Sequence, residues 1–194
     1  MYGETDLIEF CLGCPRREFE EVMRRAFETR LNRFGRRIHF YAPGMVHYET
    51  PFYKATNPYR FPAVSVTGKF CELQCKHCRG ALLRSMTEVR SPEELYELCR
   101  TIKRHGGTGC LVSGGSLHDG SVPLQEFIPT IGRIRKELGL NVLVHTGLPH
   151  PETVEALAEA GVDGVLLDVV GSDDTLREVY NLDRSVEDVE EALR

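Results

Sequence analysis

From Phe61 onward, short apolar runs alternate along the chain with amphipathic segments. The apolar runs predict four strands, at residues 63–67, 110–112, 142–145 and 164–169. The amphipathic segments predict helices at residues 91–105, 124–138, 151–160 and 185–194. The first of these has a clear start signal, with Ser91 as N-cap, Pro92 at the first helical position and Glu94 completing a capping box. Apolar strands that alternate with amphipathic helices predict a parallel sheet covered by helices, with ligand sites at the carboxyl ends of the strands.

Residues 1–60 follow a different pattern, and we expect them to form an N-terminal extension to a core at residues 61–194. Pro15 can start a helix whose apolar residues recur every three or four positions, and Gly35 can end it. Residues 38–41 read as a short strand, and the chain from there to Arg60 is rich in proline and aromatic residues. That composition indicates an extended, packed connection.

Composition places the chain among ordinary soluble proteins. It has 194 residues, of which 41% are hydrophobic and 27% charged, and a formal net charge of −5. This charge argues against a nucleic-acid-binding surface, and no apolar run is long enough to span a bilayer. The first residues lack the features of a signal peptide, so we expect a cytoplasmic protein. In that compartment its seven cysteines are expected to be metal or redox groups rather than disulfides.

The most specific motif is Cys71-x3-Cys75-x2-Cys78, which directly follows the first predicted strand. Three thiolates at this spacing can bind three irons of one 4Fe-4S cluster and leave the fourth iron open for a substrate or cofactor. The alternative is a zinc site, but zinc sites normally use two pairs of ligands, and no second pair of the usual separation follows. His77 lies between two of the cysteines, a poor position for closing the same tetrahedron.

Polar or glycine residues also follow the later strands. The second strand runs into Ser113-Gly114-Gly115-Ser116, where bare glycines would let backbone groups approach a ligand, although such a pair is also a common turn. The third strand ends at His145, which could contact a ligand or cap the strand. Asp168 closes the fourth strand and is equally consistent with a ligand contact and with a turn or N-cap role.

These motifs together resemble the radical S-adenosylmethionine (SAM) superfamily. The resemblance implies a partial (β/α) barrel, similar to a TIM barrel, in which Cys71, Cys75 and Cys78 bind a 4Fe-4S cluster that cleaves SAM to a 5′-deoxyadenosyl radical. It also implies that His77 takes the place of the usual aromatic residue against the adenine. Further SAM contacts would come from Ser113, Gly114, Gly115 and Ser116, from His145, and from Asp168, which could bind the ribose hydroxyls or a substrate. The chain carries Ser116 where glutamate is commonest in the family.

In residues 141–194, the segment Pro151-Glu-Thr-Val-Glu-Ala-Leu-Ala-Glu-Ala-Gly161 precedes a strand that ends in Asp168, and this part of the chain resembles the corresponding part of biotin synthase and its relatives. Residues 61–194, in which Ser65-Val66-Thr67-Gly68 precedes the cysteines, are most similar to the archaeal biotin synthase-related group, which includes a split lipoyl synthase. This likeness implies sulfur insertion into unactivated C–H bonds of a small molecule or an acyl-carrying protein. It further implies a ferredoxin- or flavodoxin-type reductant and a paired radical SAM subunit. Cys11 and Cys14 could then bind a second iron–sulfur cluster, or they could be a pair of reduced thiols at a helix start. Another radical SAM reaction, such as that of a methyltransferase, mutase or maturase, and a non-catalytic metal-binding subunit remain alternatives.

The superfamily core usually has six β/α units, whereas the pattern here predicts four strands and stops on a helix. Such a sheet would leave an apolar edge and an unclosed cofactor pocket. We therefore expect a barrel that is incomplete at the C-terminus, belonging either to a longer protein or to one that a partner completes.

Overall fold

The computed structural model describes residues 4–38, 49–54 and 57–194, and the chain divides into two compact units, Met1–Ala42 and Pro43–Arg194. The division predicted after residue 60 lies within the second unit. In the described ranges, no helix has both the length and the apolar character that crossing a membrane requires.

The first unit is helical. Helix α1 spans Glu4–Gly13 and helix α2 spans Arg16–Phe34, with Gly35 as its C-cap, as the sequence predicts. None of the α2 side chains is buried. The strand predicted at residues 38–41 falls almost wholly on residues 39–48, which lie outside the described ranges.

The second unit begins with a short antiparallel pair, β1 (Glu49–Thr50) and β2 (Tyr53–Lys54). Its centre is a five-stranded sheet in the order β4-β3-β5-β6-β7, and every neighbouring pair is parallel. These strands are β3 (Ala63–Ser65), β4 (Thr87–Glu88), β5 (Gly109–Ser113), β6 (Asn141–His145) and β7 (Gly164–Leu166). The parallel α/β architecture is therefore confirmed, with β4 as a strand that the apolar pattern did not predict.

Helices connect the later strands of the sheet and follow the last one. They are α3 (Pro92–Arg104), α4 (Ile128–Arg133) continued by a π-helical turn at Ile134–Leu138, α5 (Pro151–Ala160), α6 (Asp173–Glu178) and α7 (Val186–Leu193). A short 3₁₀ helix, Ala81–Ser85, precedes β4. Ser91 caps α3 by accepting from the Glu94 amide, but the Glu94 carboxylate accepts from the Arg90 amide instead of that of Ser91. The predicted capping box is thus displaced by one residue.

The main hydrophobic core lies between the sheet and its helices. It joins Val112 and Val144 of the strands to Leu95, Ile131 and Leu157 of the helices, all of them almost completely buried. At the β7 edge the apolar side chains of Val165 and Val169 are 50% and 66% exposed. This is the uncovered apolar edge that the sequence predicts for an open sheet.

Candidate active site

A cavity of about 350 Å³ lies where the carboxyl ends of the central strands meet. Because parallel strands point the same way, residues that follow different strands converge at one edge of the sheet. Every site residue that the sequence predicts in the second unit lines this cavity: Cys71, Cys75, His77, Cys78, Ser113, Gly114, Gly115, Ser116, His145 and Asp168. Residues up to 97 positions apart in the sequence (71 and 168) are therefore brought to one place.

The two-residue period of a strand decides which side chains reach the cavity. In β5, Cys110 and Val112 belong to the main core against the helices. Leu111 and Ser113 alternate with them and line the cavity on the opposite face. One face of β5 thus packs in the main core, and its other face lines the cavity.

The three cysteines of the motif lie in one loop after β3. Cys75 is buried, whereas Cys71 and Cys78 are partly exposed. The Cys75 carbonyl accepts from the amides of Cys78, at 3.2 Å, and Arg79, at 2.8 Å, which closes a tight turn between the second and third cysteines. The short spacing in sequence is therefore a compact turn in which all three thiols border the same cavity.

Gly115 fits against the cysteine loop so closely that a side chain has no room. A Cβ on Gly115 would lie 2.0 Å from the Phe70 carbonyl oxygen and 2.6 Å from Cys71 Cα. The Gly115 amide donates to Thr67 Oγ1 at 2.7 Å, and the Thr67 hydroxyl donates to the Phe70 carbonyl at 2.8 Å. The glycine is thus required by the protein's own packing, which binds the second strand's turn to the cysteine loop, and not only by the approach of a ligand.

Ser113, His145 and Asp168 form a chain of polar groups across three strand ends. Ser113 Oγ lies 3.3 Å from His145 Nδ1, and His145 Nε2 lies 3.8 Å from Asp168 Oδ2. The His145 imidazole lowers the pKa of Asp168 below its ordinary value; burial opposes this effect and the neighbouring His77 reinforces it. Asp168 is therefore an ionised carboxylate at neutral pH, facing an otherwise largely apolar cavity.

The pKa of Cys75 is shifted upward, in contrast to that of Asp168. Burial, reinforced by the neighbouring Cys78 and Cys71, raises the pKa of the Cys75 thiol to about 11. A metal ligand must be deprotonated, so the proton on Cys75 has to leave when a metal binds.

The sequence pattern does not mark the apolar wall of the cavity. Leu82, Met86, Leu148 and Val170 line it, together with the aromatic ring of Tyr180. Tyr180 stands tilted against His77, with ring centroids 4.9 Å apart. No local motif identifies these residues, because their place in the wall depends on how distant segments fold together.

The donor set fits one of the two kinds of metal group that the motif allows. Among the described residues, no three His, Cys, Asp or Glu side chains are close enough together to hold a single metal ion. Three ligands of a cubic cluster each bind a different iron, so they do not need to converge on one point. Three thiols in one loop beside a cavity of ligand size fit such a cluster and a small-molecule cofactor next to it.

Cys11 and Cys14 belong to the first unit, at the junction of α1 and α2. Both are partly exposed, and Cys14 Sγ lies 3.8 Å from the Cys11 carbonyl oxygen. Their assignment to a second cluster stays a prediction.

One protein-family model matches the chain. The model of the Radical SAM superfamily matches residues 65–194, which includes all three cysteines of the motif and every strand of the sheet after the first residues of β3. No curated protein matches the chain in sequence.

Two solved structures align with the chain. Methylornithine synthase (PylB) aligns with a TM-score of 0.50 and 17% identity over 100% of this chain and 52% of that chain. A Xaa-Pro dipeptidase with methionine bound in its active site aligns with a TM-score of 0.32 and 29% identity, over 40% of this chain and 20% of that one, a likeness too low to support any argument. The chain thus spans about half the length of methylornithine synthase. At 17% identity the likeness concerns the fold, which is a partial barrel of alternating strands and helices.

Proposed function

Because the chain belongs to the radical SAM superfamily, we propose that it binds a 4Fe-4S cluster through Cys71, Cys75 and Cys78 and holds SAM in the adjoining cavity. The observation that carries this proposal is the convergence of the three thiols, the Ser113–Ser116 turn, His145 and Asp168 on one cavity. When bound, the reduced cluster supplies the electron that cleaves SAM to methionine and a 5′-deoxyadenosyl radical.

The residues of the chain have separate tasks in this proposal. The carboxylate of Asp168 provides negative charge for the hydroxyls of SAM or of a substrate, and His145 orients it from 3.8 Å. The Ser113 hydroxyl fixes the other nitrogen of the same imidazole. The apolar wall, which includes Leu82, Leu148 and Tyr180, would limit the access of water to the space in which a carbon radical would form.

The test is reductive cleavage of SAM. The chain is reconstituted anaerobically with iron and sulfide, and 5′-deoxyadenosine is measured after addition of SAM and dithionite. Cys75→Ala should lose both bound iron and cleavage, because one of the three cluster ligands is missing.

The matched control is Cys99→Ala, which removes a cysteine from the same unit that does not line the cavity. Cys99 is completely buried, with its sulfur 3.8 Å from that of Cys110. The Cys99→Ala variant should therefore keep the iron content and the cleavage activity of the unsubstituted chain.

Two outcomes would contradict the proposal. Binding of zinc in place of iron would overturn it, and a cluster that never cleaves SAM would favour a non-catalytic partner subunit.

We further propose sulfur insertion of the lipoyl or biotin synthase kind, on a small molecule or an acyl-carrying protein. What supports it is the additional cysteine pair, Cys11 and Cys14, since such enzymes take sulfur from a second cluster. An iron count above that of one 4Fe-4S cluster, which falls in Cys11→Ala while cleavage of SAM persists, would support this proposal. An unchanged count would favour another radical SAM reaction.

The reductant is proposed to be an acidic one-electron carrier of the ferredoxin or flavodoxin kind. Residues 69–84 carry four exposed basic side chains, Lys69, Lys76, Arg79 and Arg84, against one carboxylate, Glu72. Glu72 is itself engaged by the His118 amide at 2.7 Å. A basic segment around the cysteine loop of a chain with net charge −5 supports docking of an acidic partner beside the cluster.

A further inference from the structure

Three consecutive residues far from the cysteines in sequence bind the cysteine loop. The Val179 carbonyl accepts from the Lys76 amide at 2.7 Å. In the iron-free chain the Tyr180 carbonyl accepts from the Cys75 thiol at 3.3 Å, a bond that ends when the thiol loses its proton to bind a metal. Asn181 Nδ2 donates to the Leu73 carbonyl at 2.8 Å and to the Gln74 carbonyl at 3.2 Å. We call residues 179–181 the loop clamp.

Asn181 is suited to this place by its backbone as well as its side chain. Its φ of +55° lies in the left-handed region, which asparagine tolerates better than most residues. Gln74, one of the residues it binds, has a φ of +46°. Both residues at this contact therefore have left-handed backbone conformations.

Side-chain packing extends the same contact. A second hydrophobic cluster, separate from the main core, contains Leu73 and Cys75 from the cysteine loop and Leu176, Leu182 and Val189 from α6, α7 and the turn between them. Cys71, Cys78 and Tyr180 pack against it. The loop that carries the proposed cluster ligands is thus anchored to the α6–α7 segment.

We infer that Asn181 is a positioning residue: its side-chain amide holds the loop carbonyls of Leu73 and Gln74 so that Cys75 keeps the orientation needed to bind the cluster. The ligand role of Cys75 rests on the proposed function, whereas the clamp itself rests on its own hydrogen bonds and packing. Asn181 is exposed to solvent, so its contribution is to the geometry of the loop and not to burial.

The sharpest test is Asn181→Asp, which preserves size and tolerance of the left-handed region but turns the donor into an acceptor facing two carbonyl oxygens. Asn181→Gly keeps the backbone geometry and simply removes the donor. After reconstitution, we expect the lifetime of the cluster in the presence of an iron chelator to shorten about tenfold in Asn181→Asp and less in Asn181→Gly. The electron paramagnetic resonance spectrum of the reduced cluster should also differ from that of the unsubstituted chain in Asn181→Asp.

Asn57→Asp is the matched control. Asn57 Nδ2 donates to the His105 carbonyl at 3.0 Å, so the same substitution breaks the same kind of bond between two distant segments away from the cavity. A normal cluster lifetime in this control, together with a shortened one in Asn181→Asp, supports the inference. The inference is overturned if the cluster lifetime in Asn181→Asp equals that of the unsubstituted chain. It is also overturned if the lifetime shortens equally in Asn181→Asp and Asn57→Asp.

A second readout does not depend on iron. In the iron-free chain, alkylation of Cys75 by iodoacetamide is followed by peptide mass spectrometry, with the fully buried Cys110 as the internal reference. Release of the clamp in Asn181→Gly, which adds no charge beside the thiol, should speed alkylation of Cys75 about threefold or more relative to Cys110. If the unsubstituted chain binds no iron, the proposed function fails, and this rate alone decides the inference: an unchanged rate overturns it.

Discussion

His145 and Asp168, from the ends of neighbouring strands, face each other with 3.8 Å between Nε2 and Oδ2 in the cavity that the three loop cysteines also line. The imidazole is fixed from its other side by the Ser113 hydroxyl at 3.3 Å. The carboxylate therefore has a defined orientation and keeps its negative charge where a ligand can reach it.

Replacing this carboxylate should weaken SAM binding. In Asp168→Asn the charge is lost but the size is kept, and hydrogen bonds to a charged group are the stronger kind, so we expect the affinity for SAM to fall about ten- to hundredfold. Equilibrium binding of SAM to the reconstituted protein measures this. Asp174→Asn is the control, because Asp174 pairs with Arg177 on the surface of α6. Equal affinity in Asp168→Asn and the unsubstituted chain would remove Asp168 from the site.

A methyl group at Gly115 should displace the cysteine loop. In Gly115→Ala the new Cβ would collide with the Phe70 carbonyl and with Cys71, at distances of 2.0 to 2.6 Å. We expect a loss of about 1–3 kcal/mol in the free energy of unfolding, together with lower iron content after reconstitution. Urea denaturation and iron analysis check the two effects. The matched variant is Gly171→Ala, where nothing lies within 4 Å of the added Cβ; if it behaves like Gly115→Ala, the steric explanation is wrong.

The central strands and the candidate site residues could be predicted because both depend on local pattern and on one rule of topology. Buried parallel strands are continuous apolar runs, and the residues that follow them meet at one edge of the sheet. For this reason the amino-acid sequence alone suffices to place the motif cysteines, the Ser113–Ser116 turn, His145 and Asp168 together.

The errors occur where the sequence pattern is short or ambiguous. Strand β4 is only Thr87–Glu88, both exposed, so it has no apolar run to reveal it. Strand β7 ends at Leu166, three residues before the predicted end, because the apolar residues that follow belong to the exposed strand end and the cavity wall. Helix α4 begins at Ile128 instead of residue 124, and its last turn is π-helical, a distinction that an apolar period cannot make.

The loop clamp could not be predicted for a different reason. Asn181 and the Leu73 carbonyl that it binds are 108 residues apart in sequence. Nothing local to either segment specifies the other, because four strands of the sheet and the helices between them separate the two segments in sequence.

The basic segment around the cysteine loop should affect reduction by an acidic protein far more than reduction by a small reagent. We expect Lys69→Glu/Arg84→Glu to slow reduction of the cluster by an acidic flavodoxin about tenfold or more at low salt, because attraction becomes repulsion. Reduction by dithionite, a small anion without a docking surface, should slow much less. Lys136→Glu, an exposed substitution on the helical layer, is the control. The docking surface would have to be sought elsewhere if stopped-flow rates with flavodoxin were the same in all three proteins.

The ion pair between Arg135 and Asp163 should make the free energy of unfolding depend on pH in the acidic range. Arg135 donates two hydrogen bonds to Asp163, at 2.8 and 2.6 Å, and lowers the pKa of that carboxyl below its ordinary value of 3.8; a bond from the Val142 amide acts in the same direction. A lowered pKa in the folded protein means stability that is present above pH 3.8 and is lost as the pH falls through the folded value.

Asp163→Asn should therefore be less stable than the unsubstituted chain at pH 7, by about 1 kcal/mol. The difference should shrink as the pH falls below about 4, where the native carboxyl becomes protonated. Urea denaturation at a series of pH values between 7 and 3 measures the free energy of unfolding of both proteins. A difference that stays constant over this range would show that the ion pair does not cause it.

The contact between Cys75 and the Tyr180 carbonyl spans 105 residues, and it has a consequence for folding during synthesis. On the ribosome, all three loop cysteines are synthesised long before the segment that anchors them. At a typical synthesis rate of about 5–20 residues per second, the thiols would precede residues 179–181, which hold their loop, by about 5 to 20 seconds. The ligand loop is thus among the last parts of the unit to reach its final form, and cluster insertion is expected after translation of the α6–α7 segment, not during it.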